Sequence, residues 1–229
     1  MNEDAKEKDG GKNSKTRDAQ QTRAGLYGEV ISHMRAKHPD IIDAAYDFFW
    51  EEEYPEEFLS GLPLELGFVN FEDWFICDYT DPNAGFMTDL YLEDTGQKEN
   101  AGKVAAMKAL KDSFISLYEV KKIAPSSGGQ AELEDVLLGG TLPVSVPASG
   151  MKAGDLLATR VIDLEGRCVM GACLYPFGGA VKKVVLESVS IPFERYRKNK
   201  KPGGGLRDFL KDEGYIFNVI WLSGLYRRA

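Results

Sequence analysis

Both histidines of the chain, His33 and His38, stand five residues apart. On one continuous helix that spacing sets them about 140° apart around the axis. They then fail to share a face as the histidines of a metalloprotease HExxH helix do, and no HExxH occurs here. Cys168 and Cys173 are also five apart, and on a strand they point to opposite faces, a poor geometry for a shared zinc ion. Cys77 lies inside an aromatic run and reads as a small buried hydrophobe. No GxSxG elbow is present, and no spacing supports a Cys–His pair. The expectation is a chain with no catalytic residue, no metal ligands and no cofactor.

Carboxylates are plentiful. Glu72, Asp73, Asp78, Asp81 and Asp89 crowd one stretch, and Asp78 with Asp81 has the spacing to meet on a helix end. Magnesium sites use such groups, usually with a phosphate-bearing substrate. The reading favoured here is structural: Asn70 caps a helix, Glu72 and Asp73 stabilise its N-terminus, and Asp78 or Asp81 starts a turn. The run KKPGGGLRDFL places glycines before a helix start, where N–H groups attract anions, yet it lacks the GxxxxGK[ST] order and reads as a surface loop.

Charge is distributed unevenly. The chain carries 28 Lys+Arg against 36 Asp+Glu, a formal net charge of −8, which excludes a generally basic, nucleic-acid-coating protein. Residues 181–229, however, are net basic. Arg195, Arg197, Lys198, Lys200 and Lys201 cluster there beside Phe193 and Tyr196, a pattern that suits a polyanion or a single nucleic-acid strand. The simpler reading folds this basic end back onto the acidic remainder. Arg160 sits in the apolar run LLATRVI, where it needs an acidic partner; Asp135 or Asp155 is the expected one.

The elements that would hold these groups follow from periodicity. Residues 1–23 have almost no apolar side chains and read as a disordered tail. Helical spacing begins at Leu26, breaks at Pro39, and resumes through Ile41, Ile42, Ala45, Phe48 and Phe49. A short helix capped by Thr88 and a longer one over Asn100–Leu117 follow. Five short β-prone runs come next, at Tyr118–Ile123, Ala131–Leu137, Leu142–Val146, Leu156–Asp163 and Arg167–Tyr175, with a break near Pro125–Gly129 that reads as a loop. Residues 180–189 mix two periods and lean to helix; a last element over Leu206–Tyr226 has Gly214 as a split point. The expected fold is α+β: N-terminal helices packed on a small antiparallel β-barrel or curled sheet, with C-terminal helices. The expected division is a tail (1–23), a helical region (24–118), a small β-domain (119–178) and a basic helical extension (179–229).

The series FEDWFICDY, DLYL, SLYEV, ELEDVLLGG and GDLLATRVI resembles an uncharacterised bacterial group. In that group a helical segment with a Trp-Phe-x-x-Asp-Tyr core precedes a small β-domain, and a zinc-binding SEC-C motif often follows. The likeness spans roughly Ala45 to Phe177. Residues 178–229 contain no Cys and no His, so the SEC-C motif itself is absent. The resemblance implies an architecture and an accessory role; it implies no reaction.

No apolar run is long enough for a membrane helix. The polar start MNEDAKEKDGGKNSK and only three cysteines lead us to expect a cytoplasmic protein. The leading expectation is a non-catalytic accessory or adaptor protein that binds another protein, with Trp74, Phe75, Asp78 and Tyr79 as the interaction candidates. Trp74 is open to two readings, core or binding anchor. The alternatives are nucleic-acid binding through Arg195, Arg197, Lys198, Lys200 and Lys201, and a metal-dependent hydrolase that uses carboxylates such as Asp78.

Overall fold

A computed structural model describes residues 23–124, 129–147 and 150–226. Of the expected tail over residues 1–23, residues 1–22 lie outside the described residues, as does most of the 125–129 loop; Arg23 already belongs to a helix and donates to the Met170 carbonyl, so it is not part of a tail.

The first helix, α1, covers residues 23–37 and buries Leu26, Tyr27, Val30, Ile31 and Met34 along one stripe. Pro39 ends it, because proline disfavours a helical conformation in the residue before it. His38 accordingly leaves the helical region (φ −135°, ψ 51°), and α2, Pro39–Trp50, starts on a new axis. The helix α3, Leu62–Cys77, has Pro63 in its first turn and packs Phe71 and Trp74 against Phe49 of α2, with Phe75 stacked behind Phe71. A two-residue ribbon, β1 (Thr80–Asp81) and β2 (Gly85–Phe86), turns on the Asp81 carboxylate, which accepts from the N–H groups of Asn83 and Ala84. It leads into α4 (Met87–Asp94) and α5 (Ala101–Asp112), the latter capped by the Asn100 side chain.

Two expectations change here. Thr88 is not a cap but a buried residue of α4, since β2 runs straight into the helix with Phe86 at the N-cap. The helix expected to reach Leu117 stops at Asp112, and Ser113 turns extended (φ −75°, ψ 161°). Phe114 and Leu117 fit a helical period, but Ile115 and Leu117 also fit a strand face, and pairing with a later strand decides the matter.

The strands β3 (Ile115–Ala124), β4 (Gln130–Asp135), β5 (Thr141–Ser145), β6 (Leu156–Leu164) and β7 (Arg167–Phe177) close a barrel in the order β3-β4-β5-β7-β6. All pairs are antiparallel except β5–β7. Alternation sorts the side chains. Tyr118, Val120, Leu133, Val144, Leu157 and Met170 form one cluster, and Ile115, Leu117, Ala158, Cys173 and Tyr175 join another. The second cluster is covered by α6 (Lys182–Asn199), α7 (Leu206–Asp212) and α8 (Ile216–Tyr226), through Val185, Val189, Tyr196, Phe209, Phe217 and Trp221. The fold is therefore α+β, with helices before and after a closed five-stranded barrel. Among the described residues no helix is long and apolar enough to cross a membrane.

Candidate functional site

Helix α3 carries Asn70 and Asp73, one turn apart and both fully buried. Because α3 begins at Leu62, these residues lie in its interior and not at its N-terminus as the sequence reading placed them; they serve β7 instead of the helix end. Asn70 donates to the Leu174 carbonyl (3.1 Å) and accepts from the Leu174 N–H (2.7 Å). Opposite Arg160 the β6–β7 register slips, from Thr159↔Leu174 to Val161↔Met170. The slip frees the N–H groups of Ala172 and Cys173, which donate to Asp73 Oδ2 at 3.0 and 3.2 Å. Gly171 permits this approach: a Cβ there would sit 2.7 Å from Arg160 Cβ and 3.2 Å from Asp73 Oδ2.

Arg160 completes the cluster. Its Nε donates to Asp73 Oδ1 (2.8 Å), and its two terminal nitrogens fork onto Asp78 and reach Ser113 Oγ. Lys211 of α7 donates to Asp78 Oδ1 (2.7 Å) and to the carbonyls of Cys77 and Ser113. The Tyr27 hydroxyl donates to Asp73 Oδ2 (2.7 Å). Two cations thus meet two carboxylates with hydrogen bonds on every side. Arg160 pairs with neither Asp135 nor Asp155, contrary to expectation. Asp135 instead accepts from Ser116 and the Leu137 and Leu138 N–H groups, and Asp155 accepts from the Lys152 N–H. Burial raises the Tyr27 hydroxyl pKa well above its ordinary value, and the Asp73 charge adds to this, so the hydroxyl stays a donor. Burial pushes the Cys77 thiol up to about 12, which keeps it protonated and unreactive.

Beside this cluster opens a cleft of about 680 Å³ between α2, α3, the β1–β2 ribbon and the α7–α8 corner. Its lining includes the rings of Phe48, Trp74, Tyr79, Phe86 and Tyr215 and the charged groups of Asp78, Lys200, Lys211, Asp212 and Glu213. Phe48 stacks on Trp74 with ring centres 5.7 Å apart and planes 7° from parallel, and Tyr215 meets Phe48 edge-on at 5.6 Å. Phe48 is nevertheless 56% exposed, at the mouth of the cleft.

Of the four interaction candidates, Trp74, Asp78 and Tyr79 line this cleft, while Phe75 is fully buried behind them. Trp74 is itself buried, so core and cleft wall are two faces of one ring. Both oxygens of Asp78 accept from cations. The basic candidates are divided by α6. Lys200 pairs with Glu213 (2.6 Å) and also lines the cleft, Lys201 pairs with Asp208 (2.7 Å), and Arg197 lies 3.6 Å from Glu194 and over the Phe193 ring. Among the described residues Arg195 and Lys198 have no ion-pair partner. Phe48 and Tyr215 were missed as site residues, because nothing in the sequence marks Phe48 as the ring of its apolar helix face that stays at the surface, and Tyr215 sits in the turn between α7 and α8.

The histidines depart from expectation most. The separation around one continuous helix does not apply, because His38, the residue before Pro39, leaves the helical conformation. His33 Nε2 lies 2.9 Å and His38 Nε2 2.5 Å from the same atom, Asp94 Oδ2, at the end of α4.

In comparison with known proteins, a family model described as "Family of unknown function (DUF7986)" matches residues 68–202, more than half of the chain. No curated protein and no solved structure matches.

Proposed function

Because the chain belongs to a family of unknown function, DUF7986, its role has to be argued from its own geometry. We propose that it is a non-catalytic accessory protein that binds a partner protein through the cleft between α2, α3 and the α7–α8 corner. The observation that carries this reading is Phe48: a large aromatic ring, 56% exposed, stacked on a buried Trp74 and held by Tyr215. A preorganised aromatic wall of this kind is what binding anchors insert against, since it loses little freedom on contact. The charged residues of the lining, Lys200, Asp212 and Glu213 among them, supply polar groups beside the rings. The occupant that fits is a segment of a partner protein that presents an apolar or aromatic side chain flanked by polar residues. The few cysteines support a cytoplasmic accessory role.

The test uses Phe48→Ala and Tyr215→Ala in the full chain. The partner recovered from the native host by wild-type protein is expected to be lost from both variants, while their melting temperatures stay close to wild type. A partner that both folded variants retain overturns the reading.

A second reading draws on Arg195 and Lys198, the two members of the basic run without an acidic partner among the described residues. It proposes a nucleic-acid contact along the end of α6. Binding that weakens steeply with salt and falls on Arg195→Gln with Lys198→Gln supports it; absence of binding at low salt removes it.

A further inference from the structure

We propose that His33, His38 and Asp94 form a binding site for one first-row divalent transition-metal ion of the zinc class. The proposal is independent of the cleft.

The chain has only two histidines, and both present Nε2 to the same carboxylate oxygen. They come from separate elements, His33 on α1 and His38 at the break before α2, and Asp94 ends α4. The three donor atoms all lie within 4.8 Å of one another. Four donors placed tetrahedrally at the usual zinc distances of about 2.0–2.1 Å stand about 3.3 Å apart. The two Nε2–Oδ2 separations need to open by less than about 1 Å to reach that value.

The surrounding acids show how unusual Asp94 is. Glu29 pairs with Lys103, Glu72 with Arg35, Asp89 with Lys111, and Glu93 with Lys98. Asp94, among the described residues, pairs with neither lysine nor arginine; its partners are the two imidazoles. Without an ion, both imidazoles must donate an Nε2–H to one oxygen atom. An ion takes the place of those two protons and uses the lone pairs of both nitrogens and the carboxylate at once. The Tyr91 ring stands edge-on to His33 at 5.4 Å and its hydroxyl is anchored on Glu29, which fixes the imidazole plane.

The donor set defines the ligand class. Imidazoles suit zinc, iron, copper and nickel, whereas magnesium and calcium prefer oxygen donors. With three protein donors on a partly exposed surface, the remaining coordination positions are open to water. The ion would tie α4 to the α1–α2 break.

Chelator-treated full-length protein is titrated with Zn²⁺ and, separately, with Co²⁺, whose visible absorption reports tetrahedral nitrogen and oxygen coordination. Wild type is expected to bind one ion per chain and to gain about 5 °C in melting temperature at saturating Zn²⁺. His33→Gln, His38→Gln and Asp94→Asn should each weaken binding by at least about tenfold, with Mg²⁺ producing no effect. Cys168→Ser, which removes a partly exposed thiol, should bind like wild type. Circular dichroism without metal establishes that each variant is folded; one that is not is set aside, and the remaining two read the same loss. Wild-type protein that binds no Zn²⁺ at micromolar free ion, or binding that the folded variants retain, overturns the proposal.

Discussion

Two clusters in this molecule use the same ingredients, a carboxylate held by two nitrogen-bearing side chains or more, and differ in where they sit. Around Arg160, the guanidinium and Asp73 are fully buried and almost every polar atom has a partner inside the protein. Around Asp94, the side chains remain between 15% and 27% exposed, and coordination sites face outward. The first is closed around the guanidinium: α1, α3, the α5–β3 connection, β6, β7 and α7 all contribute an atom to it, while Asp78 and Lys211 also line the cleft. The second is more open: His33, His38 and Asp94 meet at the surface, above a core that α1, α2 and α4 share. Burial with complete hydrogen bonding marks a lock between layers, and partial exposure with unusual partners marks a place for something else to bind.

The comparison is tested most severely by Arg160→Met. Removal of the guanidinium strands two carboxylates, and breaking a buried pair in this way costs about 3–5 kcal/mol. Urea unfolding should show a loss of that size; a loss below about 1 kcal/mol would mean that the cluster is not a lock. The pH dependence adds a sign. Burial alone would raise the Asp73 pKa, but Arg160, Tyr27 and the Cys173 N–H more than reverse this and hold the carboxyl below its ordinary value. A carboxyl whose pKa falls on folding stabilises the fold above its unfolded value, and the contribution disappears as pH falls through the folded value. The stability gap between wild type and Asp73→Asn should therefore be full at neutral pH and shrink below about pH 4. A gap that stays constant into acid would show that the charge of Asp73 contributes nothing.

A smaller effect is expected from Gly171→Ala. The added methyl would meet Arg160 Cβ at 2.7 Å and Asp73 Oδ2 at 3.2 Å, so β7 must shift away from the cluster. Overpacking of this kind costs about 1–3 kcal/mol. The same change at Gly102, on the outside of α5 with only the Asn100 side chain nearby, should be neutral or slightly stabilising. Equal effects at the two glycines would show that the close approach at β7 is not needed.

How far these clusters can be read in the sequence follows the same division. The helical stripes of α1 and α2 and all five barrel strands were legible to within a few residues, because each rests on local periodicity; α5 was legible as a helix but not in its end, since the helical period runs on to Leu117 while the chain turns extended at Ser113. Arg160 was legible as a residue that needs an acid, but its partners Asp73 and Asp78 lie 87 and 82 positions away. No local pattern distinguishes them from Asp135 or Asp155. Asn70 and Asp73 looked like an N-terminal signal because short polar residues favour helix starts. Only the packing of α3 on β7, with two backbone N–H groups released by a register slip, explains them in a helix interior. The histidine geometry was hidden by the assumption of one straight helix, although Pro39 was visible as its break.

The smallest expected effect is the sharpest, since it makes the same chemical change in the open cluster. Asp94→Asn replaces a carboxylate by an amide, as Asp73→Asn does, and leaves an acceptor oxygen for one imidazole. Hydrogen bonds from His38 and then His33 lower the Asp94 pKa, so its charge favours the fold. Exposure screens that charge, and comparable surface pairs are worth about 0–1 kcal/mol. In metal-free buffer the urea midpoint of Asp94→Asn should therefore lie close to wild type. If it falls as far as that of Asp73→Asn, exposure does not separate the two clusters and Asp94 is a structural tie like Asp73. If the two proteins differ only after Zn²⁺ is added, the fold does not depend on the carboxylate itself, and its stabilising effect arises through the ion.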